Sequence, residues 1–529
     1  MRVHRCGSAG ARGVKMTIRG AHVGDERRRG HWLRVWMMAV ASLLLGACQM
    51  GASEVAVPAP ATAGAPEPTE GHESWYGVYL QGQKIGYLQE SLRRVPDEPD
   101  RWEYTSSDLV DLNLLGQPLR QSTLTRVVSD DSFRPLSFDF ELSSGGRSTT
   151  VRATVEGATI EYRRSGGEGD GGAATGALIV PEGAELTADA RLVLLREKVG
   201  PGDELTFTTF NPVTLGLDTN ELRCERRETL ALPGETITDA AVVTIKTKYG
   251  TMTSWLDADG RPRKTEVAMM QAKLSYLDEP RDQALALEGG QRIDLATATA
   301  IRPDRPIADP RKVTRLVVEV AGLDALESVP SDGAQTVGAA RDGWQKVTVV
   351  AEPPAAPKAL TAAELAPYLA ATPYIQSEHP DLIAGAKGAV TGETGDAKER
   401  AIRIQRYVQQ RVRWQSNVGM FRSALEVWRD PNGVCRDAAA LYTALARADG
   451  LPTRVCGGLI YLNGAFLGHA WAETWIGDRW WPVDATMVTS PPDAARLKLA
   501  QGDDYTALFD MLPALGNLRV KVLEEEVVP

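Results

Sequence analysis

The sequence predicts an α+β protein, with an N-terminal antiparallel β-rich domain of half-barrel-like form followed by a C-terminal α+β domain. Three observations carry this expectation. From Trp75 to about Ala286, short β-branched or aromatic runs recur between Gly, Asp and Pro residues. From residue 396 the pattern changes to helices with recognisable starts, and beyond Pro452 it becomes two successive hairpins. With 529 residues and 43% hydrophobic content, the chain has material for more than one core.

Residues 1–34 carry nine Lys or Arg against Asp25 and Glu26, and Val35 to Ala47 is an apolar run of thirteen. That length suits a signal peptide and is short for a bilayer span. Leu45-Gly46-Ala47-Cys48 resembles a bacterial lipobox. The resemblance implies removal of residues 1–47 and lipid attachment to Cys48. With Gln49 following rather than Asp, it further implies an envelope protein held at the outer membrane and facing the periplasm. Residues 48–72, rich in Ala, Pro, Gly and Glu, read as a flexible tether beyond the lipidated cysteine. Of the 59 basic and 69 acidic residues, nine and two lie in the first 48, leaving 50 and 67 and a formal net charge of 17 negative. Such a surface argues against nucleic acid and suits a cationic partner.

Residues 73–290 form the β-rich domain. Strands are expected at 75–82, 84–95, 102–112, 122–130, 136–142, 148–157, 158–164, 205–211, 241–250, 251–260 and 265–277. Gln81-Gly82 and Ala258-Asp259-Gly260 read as hairpin turns, Ser165 to Gly176 as a Gly-rich loop, and Thr187 to Lys198 as a helix. No catalytic constellation appears there, so binding or spacing is the role expected of it. Residues 291–312, with Pro303, Pro306 and Pro310, read as a linker.

The C-terminal domain, 313–529, opens with a small β element: strands at 315–323 and 344–352 about a Gly-rich turn at 332–338. Thr361 with Glu364 and Ser423 with Glu426 have the spacing of capping boxes. A helix over 396–412 directs Ile402, Tyr407 and Val408 inward, and a helix at 505–512 and a strand at 518–523 close the chain.

Cys435 follows Asp430-Pro431-Asn432-Gly433 and opens an Ala- and Leu-rich helix that Gly450 stops. Its sulfur is thus expected at a helix N-terminus, where unpaired N–H groups and the macrodipole favour the thiolate nucleophile. Ala440, Leu441, Ala444, Leu445 and Ala448 form the stripe that docks this helix. Asp437 reads as a first-turn stabiliser, and Arg436 as either a solvated side chain or a substrate contact.

Asn463-Gly464 and Gly477-Asp478 mark two hairpins. If Gly477-Asp478 is a two-residue turn, cross-strand partners have numbers summing to 955. Asp484 then lies opposite Trp471 and becomes the diagonal neighbour of His469 on one face. A loop one residue longer would send Asp484 to the other face. In the first register a carboxylate could hold the imidazole while its second nitrogen meets a thiol.

These residues resemble a known family. Gly433-Val434-Cys435-Arg436-Asp437, the run Gly468-His469-Ala470-Trp471-Ala472-Glu473 and Trp480-Trp481-Pro482-Val483-Asp484-Ala485-Thr486 resemble, in order, the cysteine, histidine and aspartate motifs of the transglutaminase-like superfamily over roughly 397–490. The resemblance implies a papain-like architecture, with Cys435 as nucleophile, His469 as general base and acid, and Asp484 as its orienter. Members cross-link glutamine to amines, deamidate, or hydrolyse amide bonds. Animal transglutaminases carry a tryptophan after the nucleophile, where Arg436 stands here, which favours hydrolysis over cross-linking.

Other readings of the same residues are a protein-glutamine transglutaminase or deamidase, and an inactive scaffold or ligand-binding lipoprotein. Zinc would need a fourth ligand, and neither His72 nor His379 has ligand spacing. Arg436 and Trp471 are candidate linings of a substrate cleft; Trp471, Trp475, Trp480 and Trp481 otherwise serve as hairpin packing. The N–H of Cys435 is a candidate half of an oxyanion site, with Trp414 or Trp428 nearby. With Cys48 lipidated, Cys224 and Cys456 either pair or, for Cys456 on an apolar strand, serve as buried small hydrophobes. No phosphate loop, dinucleotide fingerprint or calcium loop is present, so no cofactor is inferred. The reading is an envelope-anchored thiol enzyme acting on amide bonds of a protein or peptide.

Overall fold

The computed structural model describes residues 71–166, 173–188, 200–269, 272–287, 292–391, 395–418, 422–515 and 517–528. The signal segment, Cys48, the tether and most of the helix expected over 187–198 lie outside the described residues. Among the described residues no helix is long and apolar enough to cross a membrane.

The N-terminal half is a single antiparallel sheet of fourteen strands, from β1 (Gly71–Leu80) to β14 (Ala272–Asp278). Each strand pairs with its chain neighbour except at one place. The unpaired neighbours are β8 (Ala174–Ile179) and β9 (Glu204–Asn211), which form the open edges, while β1 pairs with β14. The segment after β8 crosses to β9, where Thr187 N–H donates to Thr208 O (2.9 Å) and Thr208 N–H to Glu185 O (2.7 Å). One exposed edge is thereby partly covered.

Period-two alternation sets the inner face. In β4 (Gln117–Asp130), Leu119, Gln121, Thr123, Thr125 and Val127 are buried while Arg120, Leu124 and Arg126 face out. Three strands depart from expectation. β10 (Gly216–Leu232) carries no strand signal in the sequence because its outward positions are mostly charged and its inward ones include Asp218 and Asn220. The first half of β8 falls where a Gly-rich loop is expected, and the run 265–277 is two paired strands, β13 (Pro262–Met269) and β14.

Residues 292–312 are docked rather than suspended. Asn113 N–H donates to Ile293 O (2.8 Å), and Ile301 and Phe466 exchange backbone bonds of 2.9 and 2.8 Å. Ile301 and Ile307 are buried, and this apolar pair holds the Pro-rich segment against the C-terminal half.

The small β element has four strands, in the order β16 (Gln335–Arg341), β17 (Trp344–Val350), β15 (Val313–Ala321) and β24 (Arg519–Val527). β16 occupies part of the expected turn, and the C-terminal strand returns to pair with β15. Next come α1 (Pro380–Ala389), α2 (Ala397–Arg411), α3 (Ala424–Arg429) and α4 (Cys435–Ala448). Both capping boxes form, Thr361 with Glu364 and Ser423 with Glu426. In α2 the inward face is Ala401, Ile404, Gln405 and Val408; Ile402 and Tyr407 are only half-buried, one position off the expected stripe. α4 packs between the other three helices and the sheet β22 (Arg479–Val483), β21 (Ala465–Ile476), β20 (Thr453–Leu462), β23 (Arg496–Gly502). Every residue from Cys435 to Arg447 is buried, and its alanines allow neighbours to approach closely.

Candidate active site

Two short strands lead into the nucleophile candidate. β18 (Arg413–Trp414) runs parallel to β19 (Asn432–Gly433), and Gln415 N–H donates to Gly433 O (2.9 Å). Val434 is then the N-cap and Cys435 the first residue of α4. Asp437 Oδ2 accepts from Val434 N–H (2.9 Å), as a first-turn carboxylate should. Gly433 is required here by space, since a Cβ would stand 2.6 Å from Asp437 Cβ. Cys435 has no exposed surface.

The hairpins take the register expected from their turns. Leu462 pairs with Ala465 across Asn463 and Gly464, whose φ values of 50° and 85° are those of a left-handed two-residue turn. Trp475 pairs with Trp480 and Ala472 with Val483, so partners sum to 955, and the ladder ends one residue before Asp484. His469 Nε2 lies 2.7 Å from Asp484 Oδ2, with both side chains fully buried. With the carboxylate ionised, Nε2 carries the proton, and Nδ1 is the nitrogen left to exchange a proton with a nucleophile.

Asp484 is held from several sides. Its Oδ1 accepts from Thr486 N–H (3.0 Å) and Oγ1–H (2.6 Å), and its Oδ2 lies 3.3 Å from Arg496 Nη1. Gln405 Nε2 donates to its carbonyl (3.0 Å). Burial works against the charged carboxylate, but His469, Arg496 and Thr486 outweigh it and hold the carboxyl well below the usual range. Arg496 also donates Nε–H to Asp493 O (2.9 Å) and lies 5.3 Å from the Trp471 ring centroid. Arg496 was not foreseen, because β23 reaches Asp484 only through the sheet and nothing local marks it.

The remaining sequence candidates divide. Arg436 is not solvated: its side chain is fully buried, close to Asp437, Tyr505 and Cys435. Trp471 is also buried and stacks on His469 with centroids 6.1 Å apart, backing the imidazole. Trp475, Trp480 and Trp481 are buried as well, Trp475 edge-on to Trp480. Trp414 adjoins Gly433 and packs on Ile460 and Leu462, whereas Trp428 stacks on Tyr407 beside Gly385, among α1, α2 and α3. Cys224 and Cys456 are free and buried, so they form no disulfide. Among the described residues no group of three or more His, Cys, Asp or Glu side chains converges as a metal site.

A second cluster, buried except for the partly exposed Asp332, supports the same strand. Arg454 binds Glu473 (Nε to Oε2, 2.9 Å) and Asp332 (Nη1 to Oδ2, 2.9 Å), and Lys498 Nζ reaches Glu473 (2.9 Å) and Asp332 (2.8 Å). Two cations thus meet two carboxylates next to the Trp480 ring, 4.1 Å from Arg454.

Comparison with known proteins places one segment of the chain in a family. Residues 384–485 match the model of the transglutaminase-like superfamily. No curated protein matches the chain. Among solved structures, the chain is similar to a cysteine-protease candidate from Cytophaga hutchinsonii, at 19% identity and a TM-score of 0.27, over 41% of this chain and 87% of that one. It is also similar to a β-barrel-like protein from Brucella abortus of a domain of unknown function, at 10% identity and a TM-score of 0.30, over 40% of this chain and 95% of that one. A third is a protease candidate from Parabacteroides distasonis, at 12% identity and a TM-score of 0.19, over 65% of each chain. The C-terminal part of this chain holds a transglutaminase-like core.

Proposed function

We propose that this chain is a cysteine-dependent enzyme that hydrolyses peptide or other amide bonds. Cys435 is the nucleophile, His469 the general base and then acid, and Asp484 the group that orients the imidazole. The observation that carries this reading is the buried 2.7 Å contact between His469 Nε2 and Asp484 Oδ2, in a superfamily core whose cysteine heads a helix. In the first step the thiol proton passes to His469 Nδ1 as sulfur bonds to the carbonyl carbon. The same proton then moves to the leaving nitrogen as the C–N bond breaks. Water, deprotonated by His469, attacks the thioester, and the carboxylic acid leaves as the thiol is restored. The N–H of Cys435 is one donor to the oxyanion, with Trp414 as nearby support.

Because Cys435, His469 and Asp484 are all buried, a substrate reaches the sulfur only after the covering chain moves. We place the enzyme in a bacterial envelope, anchored through Cys48 at the outer membrane and facing the periplasm, with a protein or peptide of that compartment as substrate. The test is turnover by the purified protein without its lipid. Cys435→Ala should abolish amide cleavage, and retained turnover would sink the thiol mechanism. Offering a glutamine peptide with a primary amine separates hydrolysis from cross-linking: amine incorporation would assign a transamidase instead.

A further inference from the structure

We infer that the N-terminal sheet is a working part of the active site, in which Gln117, Arg147 and Arg164 act as positioning residues for the chain that leads into Cys435. This rests on the thiol reading proposed above.

The contacts fall on residues 413–418 and 422–434. Gln117 Oε1, at the start of β4, accepts from Ser416 N–H (3.0 Å), and the Ser416 hydroxyl lies 2.7 Å from the same oxygen and 3.0 Å from Leu114 O. In the turn before β6 (Arg147–Glu156), Gly145 has φ +59°, and a Cβ there would stand 1.7 Å from Asn417 O, so sheet and segment touch backbone to backbone. Two residues on, Arg147 pairs with Asp430. Arg422 holds the same Asp430 and donates to the carbonyl of Asn432. Arg164, fully buried, places Nη2 3.0 Å from Glu426 Oε2, and that oxygen also accepts from Ser423 N–H (2.8 Å) in the capping box of α3.

The geometry has a chemical consequence. Residues 432–434 set the direction of the first N–H groups of α4, which stabilise a thiolate and would bind an oxyanion. The segment 413–415 is hydrogen-bonded to 431–433, so whatever fixes Ser416, Asp430 and Glu426 also fixes the turn at Gly433. The sheet supplies a partner at each of these three points. The sheet is therefore more than a spacer, and its removal would loosen the nucleophile turn from three sides.

The experiment reads the thiolate directly, by its ultraviolet absorbance near 240 nm as a function of pH, with Cys435→Ala as the blank so that Cys224 and Cys456 cancel. Thermal unfolding of each variant is recorded alongside. In Gln117→Ala the thiolate absorbance near neutral pH should fall at least about threefold. Arg164→Met should lower it further, and Arg164→Lys should recover part of the loss. A lowered melting temperature with an unmoved thiolate titration would overturn the inference, leaving the contacts as docking only. If Arg164→Met does not fold, Gln117→Ala alone decides. A parent protein whose titration matches that of Cys435→Ala would instead overturn the proposed function itself.

Discussion

At the scale of single residues, the informative group is Asp484. Its carboxyl is held below the usual range by His469, Arg496 and Thr486 despite complete burial. The folded protein therefore resists protonating it, whereas the unfolded chain takes up that proton near pH 4. The stability it contributes is present above about pH 4 and is lost as pH falls through the lower folded value. Urea unfolding from pH 6 to pH 2 should show the parent losing stability more steeply than Asp484→Asn in the acid range. The same variant should retain its fold near neutral pH and lose roughly 10³-fold in turnover, because an amide cannot stabilise the imidazolium. Parallel slopes, or turnover within about tenfold of the parent, would contradict the assigned role.

At the scale of elements, the turn into α4 depends on Gly433. It has an ordinary backbone conformation, so its requirement is room rather than left-handed φ, with Asp437 Cβ only 2.6 Å from where a Cβ would sit. Gly433→Ala should push Asp437 away from Val434 N–H and cost about 1–3 kcal/mol in denaturant unfolding. Asp437→Ala, which loses the cap and takes a buried carboxylate away from the buried Arg436 and Arg422, should cost about 3–5 kcal/mol. A cost below about 0.5 kcal/mol for the alanine at 433 would mean that the turn gives way more easily than the packing indicates.

Across the whole molecule, the cluster of Arg454, Lys498, Glu473 and Asp332 joins the loop between β15 and β16 to the sheet that carries His469. Burial opposes ionisation of Asp332, but Lys498 and Arg454 outweigh it and hold its carboxyl well below the usual range. Glu473→Gln leaves two buried cations facing one carboxylate and should cost about 3–5 kcal/mol, read as a lowered midpoint of unfolding. A change within about 0.5 kcal/mol would show that Asp332 alone balances the cluster. The docked segment 292–312 joins the two halves through Ile301 and Phe466. A linker's composition did not prevent that docking, because two isoleucines and a few backbone bonds suffice to hold it.

The local chemistry was readable in the chain. Gly477-Asp478 determined the register that aligns Asp484 with His469, Asn463-Gly464 set the first hairpin, and the run opening at Cys435 set the helix, because turn geometry and periodicity act over a few residues. What needed tertiary structure was whatever depends on partners far along the chain. The charged outer face of β10 hides its alternation, whereas the inward face of α2, Ala401, Ile404, Gln405 and Val408, keeps the i, i+3, i+4, i+7 spacing of a single helix face. Arg496 beside Asp484, the burial of Arg436 and the contacts of Gln117, Arg147 and Arg164 with the chain that leads into Cys435 arise only when sheets and helices pack. A side chain's own neighbours in sequence say little about which distant charge will share its burial.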